Sequence, residues 1–472
     1  MSNIEFNEIP SSIRFPGVYT EYDNKDAVTA LPVNPQEVLI IAPQTAELAE
    51  GSYSAPLKVY SDVEAAKHFG AGSWAHLMVR QALKNNPNMN LTVVGLLDHS
   101  AGVAATGSTT VAGTASMAGV LTLSIAGVKY PLAIAKGEND TAIATRLAAL
   151  INAQADCPVT ATVSAKVVTV KAKCKGELGN EITLSSTNTA TGVSLDLSAM
   201  ANGQQNPAIA TALASVAGTH YNLIVSPFTD TDNANALKEH LEAVSAPTAK
   251  KPAIGVMAWR STLATGTTFT STLNSERLTV AWYKGATESN ALIAAGYAAV
   301  IASEEDPARP LNTLPVKGLA LVNDAQIPTW AEYNQALYHG LTPLNIVNHR
   351  VQIMRAITTY TKSPTGVDDP SYLELGTIRS LDYGRKAIEQ RLALRFGRSK
   401  LVKKKTPAKV RSEILDVMFK LEELEIWQNV AENKARLICV VNPQDDSRID
   451  AEVPADVVKG LHVLATKVML VS

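Results

Sequence analysis

The sequence predicts an α/β core built on a mainly parallel sheet, with a small β-rich domain inserted into it, an α+β C-terminal domain, and an extended arm at each end. Three observations lead there. Short apolar runs alternate with helix-period patterns on both sides of a central stretch, the composition of that stretch differs sharply from its flanks, and both chain ends read as strands without a local partner.

The N-terminal arm comes first. In residues 12–24, Pro10 and Pro16 forbid a continuous helix, and Val18, Thr20 and Tyr22 alternate with Tyr19, Glu21 and Asp23 as a strand requires. Residues 37–42 (EVLIIA) are short and wholly apolar after Glu37, the pattern of a strand buried on both faces. Trp74, Leu77, Met78 and Ala82 then share one helical face until Pro87 ends it, and 91–97 returns as a strand. The alternation resumes with strands at 221–225, 253–257 and 278–282 and a helix over 233–244. Strand, helix, strand at this spacing implies crossover connections and parallel pairing.

Residues 101–203 interrupt this pattern. They are dense in Ala, Thr, Ser and Gly, hold Tyr130 as their single aromatic residue, and contain strands at 121–125 and 167–173 around a helix at 140–154. An interrupted pattern that continues afterwards is the signature of a domain inserted at a surface loop. The expected organisation is therefore an arm over 1–30, a split core of 31–100 and 204–365, a peripheral insertion of 101–203, and a C-terminal assembly domain of 366–472 ending in a strand.

Within that last unit, residues 379–411 carry twelve Lys or Arg against two acids, Asp382 and Glu389. Such a run points to an acidic partner, and its poor aromatic interleaving, Tyr383 and Phe396 alone, argues against single-stranded nucleic acid. Val410, Ile414, Val417, Leu421 and Leu424 mark an amphipathic helix able to cover a small sheet made of 437–441 and the terminal strand. Residues 460–472 (GLHVLATKVMLVS) are β-rich. A pairing-competent strand at each end suggests subunits joined by strand addition.

Composition excludes several classes. The formal net charge of −2 disfavours a general nucleic-acid or membrane-surface role, and Cys157, Cys174 and Cys439 lack the spacing of a zinc site or disulfide framework. No apolar run reaches the length of a membrane span, so no membrane insertion is expected. An enzyme on an α/β fold, a hydrolase or a nucleotide-binding protein, is the alternative. Gly70, Gly72 and Ala75 form a GxGxxA, but behind a helix-like stretch rather than a strand; no GxSxG or HExxH occurs, and His68, His76, His339 and His349 are dispersed. No catalytic, cofactor or metal residues are assigned.

Several blocks together carry a resemblance: PGVYTEY from Pro16, FGAGSWAHLMVRQALKNNP from Phe69, LNSERLTVAWY from Leu273, DPARPLNTLPVKGL from Asp306, and RAITTY and DPSYLELGTIRSLDYGRKAIEQRL from Arg355 and Asp369. In this order, across nearly the whole chain, they resemble the tail sheath proteins of contractile bacteriophages, the Mu-like branch in particular; GELGNEITLS from Gly176 is similar to that branch's inserted module.

The resemblance implies a subtilisin-like core and a structural subunit that stacks in six-fold rings around a tail tube, meets baseplate and tail terminator proteins, and contracts to drive the tube through the host envelope. It implies no cofactor and no direct nucleic-acid contact, with assembly in the host bacterial cytoplasm and a final place in the virion tail. Phe15, Val18, Tyr19, Tyr22, Val463, Ala465, Val468 and Leu470 would line the subunit-linking arms; Leu437, Cys439 and Val441 would form the accepting sheet. Arg385, Lys386, Arg391, Arg395, Arg398 and Lys400 would face the tube.

Overall fold

The computed structural model describes residues 9–10, 12–21, 31–48 and 51–470. The core opens with β1 (Glu37–Pro43), β2 (Leu57–Lys58), α1 (Asp62–Phe69), α2 (Trp74–Asn85) and β3 (Asn90–Leu96). Ser61 and Ser73 start the two helices by accepting the N–H of Glu64 and His76. The inserted segment follows: β4 (Thr106–Gly113), β5 (Gly119–Ile125), β6 (Val128–Ile134), α3 (Asp140–Asn152), β7 (Val159–Ser164), β8 (Val167–Ala172), β9 (Leu184–Asn188) and β10 (Val193–Ala201).

After it come α4 (Ala210–Val216), β11 (Leu223–Val225), α5 (Thr231–Ser245), β12 (Ile254–Trp259), α6 (Leu263–Leu273), β13 (Leu278–Trp282), α7 (Asn290–Ser303), α8 (Trp330–Tyr338), β14 (Thr342–Val347) and β15 (Arg350–Ile353). The chain ends with α9 (Leu375–Phe396), α10 (Thr406–Glu423), α11 (Val430–Asn433), β16 (Ile438–Val441) and β17 (Ile449–Glu452).

The main sheet has eight strands in the order β15-β14-β13-β12-β11-β1-β3-β2. From β14 to β3 every pairing is parallel, and β15 and β2 add antiparallel edges. Successive residues of a strand point to opposite faces, and in β1, β3 and β13 nearly every position is buried, so helices cover both sides. The mainly parallel α/β core is therefore as expected. Counting only the parallel strands along the chain, the order is second, first, third and onward, so the winding reverses between β1 and β11. In open sheets of this kind the crevice at the carboxyl ends beside that reversal is where ligands bind.

Here the inserted segment reaches that end of the sheet. It forms two antiparallel sheets, β10-β4-β8-β7 and β6-β5-β9, with α3 packed against β4, β6, β7 and β8. It is fastened at several points. Arg80 of α2 bridges Asp62 and the insertion's Asp156, Lys173 Nζ donates to the Ala71 carbonyl at 3.1 Å, and Thr183 Oγ1 donates to the Thr287 carbonyl at 2.7 Å.

Glu181 completes the fastening. Its carboxylate accepts from Asn290 N at 2.7 Å and Asn290 Nδ2 at 2.8 Å at the start of α7, while Arg260, just past β12, donates to the Glu181 carbonyl oxygen. Burial pushes the Glu181 carboxyl up to about 7, and the Asn290 bonds and Arg260 only partly oppose this.

The chain divides into two compact units. The smaller comprises the described residues up to Val33 with 384–424 and 429–454; the larger comprises 34–383, 425–428 and 455 onward. The boundary expected at 366 is displaced because Leu375 and Ile378 bury in the core cluster, and 455 onward is claimed by the larger unit through bonds such as Val458 N to the Ile426 carbonyl. In the smaller unit α10 buries Val410, Ile414, Val417, Met418 and Leu421 and packs against β16. The terminal segment does not join that sheet. Its place beside β16 is taken by β17, and Leu437 lies just before the strand, buried to 2% exposure.

Two outcomes test the fastening. Gly72 has φ +78°, and a Cβ there would stand 2.4 Å from the Cys157 carbonyl oxygen, so Gly72→Ala is expected to cost about 2–4 kcal/mol in urea denaturation. Because the folded-state carboxyl of Glu181 is raised, the native state binds the extra proton. Its contribution is fully favourable below about pH 4.5 and lost as the pH rises through about 7, by roughly 3 kcal/mol. Glu181→Gln is expected to flatten that part of the stability-against-pH curve.

Candidate assembly surfaces

The C-terminal arm leaves the larger unit at a defined point. Gln428 N donates to the Asp456 carbonyl at 2.8 Å, and His462 is held from both sides, by Asn312 Nδ2 at 2.8 Å from its Nδ1 and by Glu374 Oε2 at 3.2 Å from its Nε2. Burial would raise the Glu374 carboxyl, but His462 and Arg355 outweigh it and hold it below the usual value. Val463 and Leu464 are 76% and 84% exposed, Val468 and Leu470 are 91% and 97% exposed, and Ala465 is also exposed. No backbone group of 463–470 bonds to another described residue.

The N-terminal arm is similar in kind. Phe15 is 79% exposed, Val18 99% and Tyr19 42%, and residues 12–21 form no ladder. Tyr19 Oη donates to the Phe15 carbonyl at 2.9 Å, a local bond only. Tyr22 lies outside the described residues.

The hairpin β16–β17 pairs Cys439 with Ala451 and Val441 with Ile449, and neither strand has a second partner among the described residues. Ile438 and Val440 are about half exposed, while Cys439 and Val441 are partly buried. Two strands alone are marginally stable in water, and α10 behind them supplies the missing packing.

The basic run is only partly a surface. Arg391 is 7% exposed, with Nη1 2.7 Å from Asp416 Oδ2 and 3.2 Å from Glu413 Oε2 of α10, and Arg395 Nε stands 3.5 Å from Glu413. Arg385 pairs with Glu389 at 3.1 Å, and Lys386 Nζ donates to the Val33 carbonyl at 2.9 Å. The expectation that Arg391 and Arg395 face a partner is thus corrected: they tie α9 to α10. Acids of the next helix neutralise the charge that had seemed uncompensated. Arg398 and Lys400 are exposed without a counter-ion among the described residues, as are Lys404, Lys405 and Lys409, so the presented charge sits in the α9–α10 loop and at the start of α10.

The residues weighed for catalysis have other roles. His76 is fully buried; its Nδ1 accepts the Gly72 N–H at 3.0 Å, so Nε2 carries the proton and donates to Asp62 at 2.7 Å. That pair supports the insertion's dock through Arg80. Gly70, at φ +89°, closes α1, and its missing Cβ leaves room for Thr45. His339 caps α8, its ring Nδ1 2.7 Å from the Gln335 carbonyl, and His349 with Asn348 forms the β14–β15 turn, both at positive φ.

The model for the phage tail sheath protein central domain matches residues 202–359. The Mu-like prophage FluMu tail sheath protein of Haemophilus influenzae is 34% identical over 442 residues, covering 89% of this chain and 90% of that one. A sheath tail protein of Desulfitobacterium hafniense superposes with TM-score 0.52 at 15% identity, over 94% of this chain and 97% of its own. One from Listeria innocua gives TM-score 0.52 at 13% identity, over 93% and 96%. At those identities the structural likeness speaks to the fold.

Arg391→Ala is expected to destabilise the smaller unit by about 3 kcal/mol, since Glu413 and Asp416 lose their shared cation, and a lowered denaturation midpoint checks it. For Asp416, burial raises the carboxyl but Lys420 and Arg391 prevail and depress it. Its stabilisation is present above the unfolded carboxylate range and lost as the pH falls through the folded value, so an acid-melting series on Asp416→Asn should lose that limb.

Proposed function

Because this chain belongs to the phage tail sheath proteins, we propose that it polymerises as stacked six-fold rings around a tail tube and contracts to drive the tube through a host envelope. Its joints are exchanged terminal strands. One observation carries this reading: residues 463–470 extend from the body with both side-chain rows exposed and their backbone unpaired. The β16–β17 hairpin, with two open edges, is the acceptor for arms of neighbouring copies, and Phe15, Val18 and Tyr19 supply the second donor.

Physics favours such joints. A contracting lattice must let faces repack while no subunit detaches, so permanent links have to differ from switching contacts. Exchanged strands meet that need through main-chain bonds, while arm segments next to the bodies absorb motion. Contraction then runs downhill to the lattice with more contact energy, and no nucleotide site is required. Within this reading, 1–30 and the terminal strand are linkers, the insertion lies on the outside, and the exposed basic loop meets an acidic tube through long-range, register-tolerant attraction. Baseplate and terminator proteins would bound the polymer.

Deleting 463–472 is expected to leave a folded, soluble protein that forms no tubes by electron microscopy; long ordered sheaths from it would refute strand exchange. Reversing charge at Arg398, Lys400 and Lys404 is expected to abolish co-assembly with purified tail tube at low salt while self-assembly persists. Tube binding unchanged at both low and high salt would remove the electrostatic contact.

A further inference from the structure

The two outer edges of the β16–β17 hairpin differ in backbone access and in charge. Asn442 N donates to the Arg448 carbonyl at 2.9 Å, so 442 and 448 form a bonded pair of the ladder. Bonded and non-bonded pairs alternate in an antiparallel ladder, which turns the N–H and C=O of Ile449 and Ala451 to the outer edge of β17 and those of Cys439 and Val441 to the outer edge of β16. On the β16 side, Arg411 of α10 already donates to the Leu437 carbonyl at 3.0 Å, one step along that edge. The outward groups of β17 have no partner among the described residues.

Charge separates the edges further. Asp450 and Glu452 of β17 share a face with Ile438 and Val440, their partners across the ladder. Asp450 is committed, its Oδ1 accepting from Arg448 Nε and its Oδ2 from Asn442 Nδ2, both at 2.6 Å. Glu452 is exposed and has no counter-ion among the described residues. Residues 463–470 hold one charged side chain, Lys467, exposed and likewise unpaired among the described residues. Paired as a strand, that segment splits into a row of Val463, Ala465, Lys467 and Met469 and a row of Leu464, Thr466, Val468 and Leu470. Only the second row is free of charge, so it is the one able to extend the more buried face of the hairpin, that of Cys439 and Val441, without burying an ammonium. Lys467 then lies on the face of Asp450 and Glu452.

We propose that the C-terminal arm of a second copy adds to β17 with Lys467 opposite Glu452, which leaves the β16 edge to the N-terminal arm. This rests on the strand-exchange reading and assigns its edge and register. Because the outward groups of β17 belong to 449 and 451, Glu452 takes a non-bonded position toward the arm, where facing side chains approach closest. The N-terminal arm offers no such match, since 15–21 carry a single charge, Glu21, of the same sign as Glu452.

The test uses the full-length chain with Cys439→Ser. Lys467→Cys with Glu452→Cys is polymerised and mildly oxidised beside Lys467→Cys with Ile438→Cys. The expected result is a ladder of disulfide-linked copies on a non-reducing gel for the first pair and none for the second. Tubes linked only through the second pair would overturn the edge assignment while strand exchange stands. Tubes linked through neither would overturn the proposal, and deletion of 463–472 then tests strand exchange by itself. In the unaltered background, Lys467→Glu is expected to raise the critical concentration for tube formation several-fold with the thermal midpoint of the soluble form unchanged, and adding Glu452→Lys is expected to restore it. An unchanged critical concentration in Lys467→Glu, or no recovery in the double variant, would sink the Lys467–Glu452 contact; should a cysteine pair fail to form tubes, this charge exchange decides.

Discussion

A backbone that extends into water with every second side chain apolar on each face has two unmet demands. Its N–H and C=O groups gain most from pairing with a sheet edge, and each apolar side chain gains about 1.5–3 kcal/mol on full burial. Residues 463–470 make both demands, and nothing in the described chain meets them. The hairpin makes the converse offer, two strands backed by α10 with open edges. The firm hold on His462 gives the arm a fixed starting point.

The second constraint concerns the inserted segment. A doubly wound sheet exposes a ligand crevice where its winding reverses; at the same carboxyl end, the loops after β12 and β13 are bonded to the insertion through Arg260, Thr287 and Asn290. Gly72, one of the glycines that imitate a nucleotide fingerprint, and the Asp62–His76 pair that imitates part of a hydrolytic site both serve this dock, while Gly70 makes room for Thr45. The enzyme alternative thus loses its candidate residues to a structural task. Expected as a peripheral attachment, the insertion is bolted to the core, and it buries a carboxylate, Glu181, to do so.

Charge makes a third point about reading sequence. Twelve cationic residues in one run suggested a single basic face, but residues contiguous in sequence diverge around a helix by about 100° each. Arg391 and Arg395 fall toward α10, where Glu413 and Asp416 await them, while Arg398, Lys400, Lys404, Lys405 and Lys409 are exposed.

Local pattern determined much on its own. Mostly apolar runs flanked by helical periods pointed to β1, β3, β12 and β13 and their parallel pairing, because that pattern is best satisfied in a sheet covered on both faces. The family was legible in ordered blocks along most of the chain. The β16–β17 hairpin was also legible, since ICVV and IDAE flank the turn-rich NPQDDSR, but the more apolar terminal segment drew the pairing to itself. Tertiary structure alone decided which arginines are buried, where the compact units divide, and that the insertion is locked to the sheet. Each depends on groups far apart in sequence meeting in space, Arg80 with Asp156 or Glu181 with Asn290, and no local periodicity encodes such encounters.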